Sequence, residues 1–147
     1  MAEEAIEMAG WALPQHGSFC WTEIASNDAD KCQAFYEAVF GWSIKSGDAS
    51  NTGVGYSEFS TDGGAPVGGI YQINPDWFGG NPPPPHFMIY VAVDDVDENA
   101  KQAEELGGKI HKGPMDIPNV GRMCIIEDPT GAMFSTFRMK NQENENG

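Results

Sequence analysis

Apolar residues follow two different periods along this chain, and each period predicts an element. In "NDADKCQAFYEAVFGW", residues 27–42, Cys32, Phe35, Tyr36, Val39 and Phe40 stand at i, i+3, i+4, i+7 and i+8. This is the stripe of a helix laid on a sheet, so all five are expected to face the core. Asn27 or Asp28 can cap its start, and Gly41 can end it by taking the left-handed backbone that other residues resist. "DDVDENAKQAEELGGKI" repeats the plan: Asp94 or Asp95 caps, Val96, Ala100, Ala103 and Leu106 form the stripe, and Gly107 and Gly108 terminate. An apolar strand precedes each helix, and three segments of strand character follow it. These are "WSIKSG", "VGYSEFS" and "PVGGIYQI" in the first half, and "KIHKGPMDI", "GRMCIIE" and "AMFSTFRM" in the second, the last two joined by the turn "DPTG".

A shift of 67 positions superposes Ala25 on Ala92, Asp28 on Asp95, Asp30 on Asp97 and Gly41 on Gly108. The matches fall at strand ends, caps and terminators, where local geometry dictates the residue. Both halves therefore read as βαβββ, an α+β class. The expected organisation is an N-terminal arm at 1–16, a first module at 17–73, a Pro/Gly-rich linker at 74–85, a second module at 86–138 and a disordered tail at 139–147.

With "DADKCQAFYEAVFGW", "YVAVDDVD", "ELGGKI" and "VGRMCIIEDPTGAMFSTF" in this order, the chain resembles the vicinal oxygen chelate superfamily over roughly residues 17 to 138. That superfamily contains glyoxalase I, bleomycin-resistance proteins and extradiol dioxygenases. The resemblance implies a glyoxalase-like fold, in which two βαβββ modules with curved mixed sheets surround a shared cleft. It also implies metal-ligand positions: seven residues before each helix-capping Asp, here Trp21 and Met88, and on the last strand of each module, here near Gly69 and at Ser135. A catalytic divalent ion needs three or more His or carboxylate donors, so the expectation is a branch with no metal and no cofactor.

Side chains alternate along a strand, so Phe19, Trp21, Glu23 and Ala25 share one face of the first strand, and the shift maps them onto His86, Met88, Tyr90 and Ala92. The resemblance makes these the cleft face, with a ligand-binding set of Trp21, Glu23, His86, Met88, Tyr90, Met133, Ser135 and Phe137. Apolar walls around few polar groups describe a small-molecule pocket. Trp21, Met88 and Phe137 serve equally well as core. His86, beside four prolines, reads first as a hydrogen-bonded surface histidine and second as a ligand. Glu23 on an apolar strand face needs either a use or a partner such as Arg122. Trp77 and Phe78 in the linker either cover the cleft or pack away, and Trp11 in the arm could dock on a neighbouring copy, which keeps a homodimer among the expected partners.

Composition narrows the partners. Eight basic and 22 acidic residues give a net charge of −14 at pH 7, which repels nucleic acid and anionic membranes. The N-terminus opens acidic where a secretory signal opens basic, and Cys20, Cys32 and Cys124 are odd in number with no CxxC pair, so a cytoplasmic setting is expected. The function expected is metal-independent binding of a small hydrophobic or aromatic molecule. The alternatives are a glyoxalase-like lyase or dioxygenase with a displaced metal on Glu23, Glu58 and His86, or a metal-free enzyme with Glu23 as general base and Tyr90 or His86 as proton partner.

Overall fold

Asp28 and Asp95 take up the capping positions that the pattern offers them. The Asp28 carboxylate accepts from the backbone N–H of Lys31 at 3.1 Å, and Asp95 accepts from that of Glu98 at 3.0 Å. Gly41 ends the first helix in the left-handed region, at φ 71°, and Gly107 follows the second at φ 97°. In the computed structural model, which describes residues 14–46 and 55–140, these helices sit in two βαβββ modules. The elements are β1 (Phe19–Ser26), α1 (Ala29–Phe40), β2 (Ser43–Ser46), β3 (Tyr56–Ser60), β4 (Gly68–Gln72), β5 (His86–Ala92), α2 (Val96–Glu105), β6 (Lys109–Ile117), β7 (Gly121–Glu127) and β8 (Met133–Met139). Trp11 and residues 141–147 of the expected tail lie outside the described residues, among which no helix is long and apolar enough to cross a membrane.

The chain forms two compact units whose boundary falls inside β1 and β5. One runs from Trp21 to Tyr90, and the other comprises the described residues up to Cys20 and from Val91 onward. In the first unit the strand order is β2-β3-β4-β1-β5, with β1 parallel to β4 and the β2–β3 and β3–β4 pairs antiparallel. Ile24, Phe59 and Ile70 form the buried core of its outer face, and Ala29, Cys32, Tyr36, Trp42 and Ile44 cover them. Trp42 stacks on Phe59 with ring centroids 4.1 Å apart.

Only part of the α1 stripe is buried. Cys32 and Tyr36 reach the core, while Phe35, Val39 and Phe40 are more than half exposed, at 57%, 51% and 58%. Three buried side chains on the sheet give α1 a narrow footing, so its outlying aromatics pack sideways on one another. Phe35 meets Tyr36 edge-on at 5.2 Å, and Phe40 stacks on Tyr36 at 5.9 Å.

In the second unit β6, β7 and β8 pair antiparallel, and Val93, Val96, Ala100, Cys124 and Ile126 form the core against α2, joined by Ala103, Ile110 and Phe134. Leu106, expected in the α2 stripe, is 71% exposed. It is the C-cap, and the turn through Gly107 swings it off the helix face.

Candidate functional site on the inner face of the first unit

The strand registers place a row of four residues across the first unit: Lys45 opposite Glu58, Glu58 opposite Gly69, and Gly69 opposite Glu23. Residues directly opposite share a face, and this row lies on the side of the sheet away from Ile24, Phe59 and Ile70. The two consecutive glycines of "PVGGIYQI" each make room for an aromatic ring, one on each face. A side chain at Gly68 would run into the Thr22 backbone carbonyl on β1 and into Phe59 in the outer core, and one at Gly69 would run into the hydroxyl and ring of Tyr56 on the inner face. The bare backbone at Gly69 thus lets Tyr56 lie across β4 and reach Glu23 on β1.

Three donors converge there. Tyr56 donates its hydroxyl proton to Glu23 Oε2 at 2.8 Å, and Tyr90 donates to Oε1 at 2.8 Å. The Trp21 indole N–H donates to the Tyr56 oxygen at 3.0 Å. The shift that superposes Glu23 on Tyr90 in the sequence thus joins the same two residues by a hydrogen bond. Tyr71 stacks beside Tyr56 with centroids 6.5 Å apart, and Trp77 lies 6.0 Å beyond Tyr71.

Burial pushes the Glu23 carboxyl above its ordinary range, against the opposing pull of the hydrogen bonds from Tyr90 and Tyr56. Tyr56 is pushed up by its own burial and then by the Glu23 charge, and Tyr71, for the same two reasons, is pushed up to about 12. Both phenols therefore hold their protons at neutral pH. No Lys, Arg or His among the described residues forms an ion pair with Glu23. Lys45, in the same row, is three strands away, roughly 14 Å at the usual strand spacing. Arg122, the partner expected for Glu23, is engaged in the second unit, with Asp97 at 2.7 Å and Asp116 at 2.9 Å. Two tyrosines have taken the place of that ion pair.

Of the residues expected at the site, the structure joins Trp21, Glu23 and Tyr90 in one network. Met88 is buried on β5, and His86, at the strand's start, donates from Nδ1 to the Pro84 carbonyl at 2.7 Å. Met133, Ser135 and Phe137 belong to the second unit. There Met133 is exposed, Phe137 packs against Gly121, and Ser135 is fully buried with no hydrogen-bond partner for its hydroxyl. Trp77 packs toward Tyr71 while Phe78 is exposed. Tyr56 and Tyr71 are the site residues that sequence reasoning did not assign. A signal for Tyr56 was present in Gly69, since a glycine inside a strand marks close approach by another group.

The positions where the resemblance places metal donors do not fit a divalent ion. Trp21 and Met88 offer an indole N–H and a thioether, Gly69 offers nothing and its space is filled by Tyr56, and Ser135 offers a neutral hydroxyl. Among the described residues no group of three or more His, Cys, Asp or Glu side chains is placed to hold a metal.

Comparison with known proteins extends the picture. The chain is 36% identical over 131 residues to CFP32 of Mycobacterium bovis, which carries the name of a glyoxylase, with 86% of this chain and 46% of that protein covered. It is 32% identical over 131 residues to the anthracycline biosynthesis protein DnrV of Streptomyces peucetius, covering 83% of this chain and 47% of DnrV. The chain thus spans about half the length of these relatives. Among solved structures, methylmalonyl-CoA epimerase of Mycobacterium tuberculosis matches with a TM-score of 0.61 at 14% identity, over 93% of this chain and 99% of that one. The Streptomyces coelicolor epimerase matches with a TM-score of 0.58 at 20% identity, over 84% and 97%. At such identities the likeness is one of fold, and it is the α+β glyoxalase-like fold of paired βαβββ units. A family model matches residues 18–136, and on that match the chain belongs to the glyoxalase/bleomycin resistance protein/dioxygenase superfamily.

Proposed function

We propose that this chain binds a small hydrophobic or aromatic molecule without a metal ion, on the inner face of β1, β3, β4 and β5, with Glu23 as the polar centre of the site. The observation that carries the reading is the Trp21–Tyr56–Glu23–Tyr90 network, a partly buried carboxylate held by aromatic side chains with no ionic partner among the described residues. Aromatic surface with one fixed polar group suits a ligand-binding wall. The relative named for anthracycline biosynthesis is in keeping with an aromatic ligand, since anthracyclines are fused aromatic ring systems. The free cysteines and acidic surface suit a cytoplasmic setting.

Titration with a neutral aromatic such as 2-phenylethanol tests the reading through tryptophan emission. A saturable change is expected, and Trp21→Phe should remove most of it. An unaltered response in that variant would move the site elsewhere.

One observation favours a second reading, a metal-free enzyme. A carboxyl raised by burial and held by two phenols is placed to take a proton from a substrate as general base, with Tyr90 as proton partner. A ligand recovered unchanged keeps to binding alone. Conversion that is lost in Glu23→Gln supports the enzyme.

A further inference from the structure

We infer that the ligand of this face is an organic cation, an amine or quaternary ammonium group carried on a hydrophobic or aromatic body. The inference rests on reading the inner face of the first unit as a small-molecule site, and it follows from a conflict built into that face. Both Glu23 oxygens receive protons from phenols, at 2.8 Å each, and the Tyr56 oxygen receives one in turn from Trp21. A carboxyl group meant to stay neutral has a proton to give and wants an acceptor nearby; this one is met by donors on both oxygens, an arrangement that favours the charged form. Burial opposes that charge. Proteins ordinarily resolve the conflict with a Lys or Arg, and none is paired with Glu23 among the described residues.

A cation from outside resolves it. Each Glu23 oxygen accepts one phenol proton and keeps capacity for another donor, which an ammonium group supplies. The rings of Trp21, Tyr56 and Tyr71 beside the carboxylate supply aromatic surface for the body that carries the ammonium group. Glu58, one strand beyond Gly69 on the same row, contributes a second negative charge to the face, and the net charge of −14 draws cations in from a distance.

Calorimetric titration near neutral pH and physiological salt with 2-phenylethylamine, protonated there, and with 2-phenylethanol, its neutral counterpart, tests the inference. The amine is expected to bind at least about tenfold more tightly. Glu23→Gln, checked for folding by circular dichroism, should erase that advantage, bringing the amine's affinity level with that of 2-phenylethanol measured on the same variant. Equal affinities in the wild type would overturn the cation and leave the aromatic site standing. An amine preference that survives Glu23→Gln would overturn it as well, tracing the preference to the acidic surface. If neither compound binds at millimolar concentration, the cation inference and the site reading fall together.

Discussion

Each unit of the chain carries a polar cluster on its strands, and the two are made in opposite ways. In the second unit the Arg122 guanidinium on β7 forks onto Asp97 at 2.7 and 2.8 Å and reaches Asp116 at 2.9 Å. Charges there cancel in the open, and the arginine beside Asp97 holds that carboxyl below its usual range. In the first unit Glu23 is partly buried and, among the described residues, takes its hydrogen bonds from neutral donors, and its carboxyl moves the other way. Exposed paired charges are screened by water and salt and contribute little to stability. A buried carboxylate without a counter-charge is costly to keep, so its presence calls for a use. The contrast separates surface chemistry from a candidate site.

The largest effect should come from the backbone that makes the first cluster possible. Gly69→Ala puts a methyl group where the Tyr56 ring lies, and overpacking of this kind costs about 2 kcal/mol. Denaturant unfolding should show that loss, and the emission response to 2-phenylethanol should vanish with it. Gly68→Ala strikes the Thr22 backbone carbonyl on β1 as well as Phe59 on the opposite face and should cost at least as much.

Next comes Tyr90→Phe, which strips one donor from Glu23 and should destabilise by about 1.5 kcal/mol, the scale of a hydrogen bond to a charged group. Glu23→Gln should fall within about 1 kcal/mol of the wild type and show its signature in pH dependence instead. With its folded pKa raised, Glu23 keeps a proton in the folded chain that the unfolded chain has already released. Its contribution is therefore fully present below the unfolded value, and it declines as pH rises through the window up to the folded value. Wild type minus Glu23→Gln should show that decline; the opposite slope would mean that the phenol hydrogen bonds or a cationic partner outweigh burial. Smallest of all, Arg122→Met should barely move the unfolding midpoint, and a loss matching that of Gly69→Ala would erase the contrast between the clusters.

Much of the architecture was legible in the chain because short-range rules govern it. Asp28, Asp95, Gly41 and Gly107 act within one helical turn, and alternation alone puts Trp21 and Glu23 on one face. The stripes were less reliable, because periodicity states which residues could face a sheet and the sheet's width decides which do. Phe35, Val39 and Phe40 overrun three core side chains, and Leu106 falls past the helix end. Within the site, Tyr56 and Tyr71 were not foreseen, since their role depends on register: only the opposition of Glu58 and Glu23 across Gly69 shows that Tyr56 can reach the carboxylate. Arg122 was the natural partner for Glu23 by charge alone, but α2 sets Asp97 beside it.

Glu23 stands without a counter-charge among the described residues, and its own titration tests that most directly. Carboxyl carbon resonances of glutamate-labelled protein, with the Glu23 signal identified by its loss in Glu23→Gln, would be followed across the acid-to-neutral range without ligand. The account expects a midpoint above the ordinary glutamate range, returning toward that range when 2-phenylethylamine is bound. A midpoint at or below the ordinary range in the free protein would contradict it, because the charged form would then already be compensated, by the phenol hydrogen bonds or by a cation, with no call for a ligand.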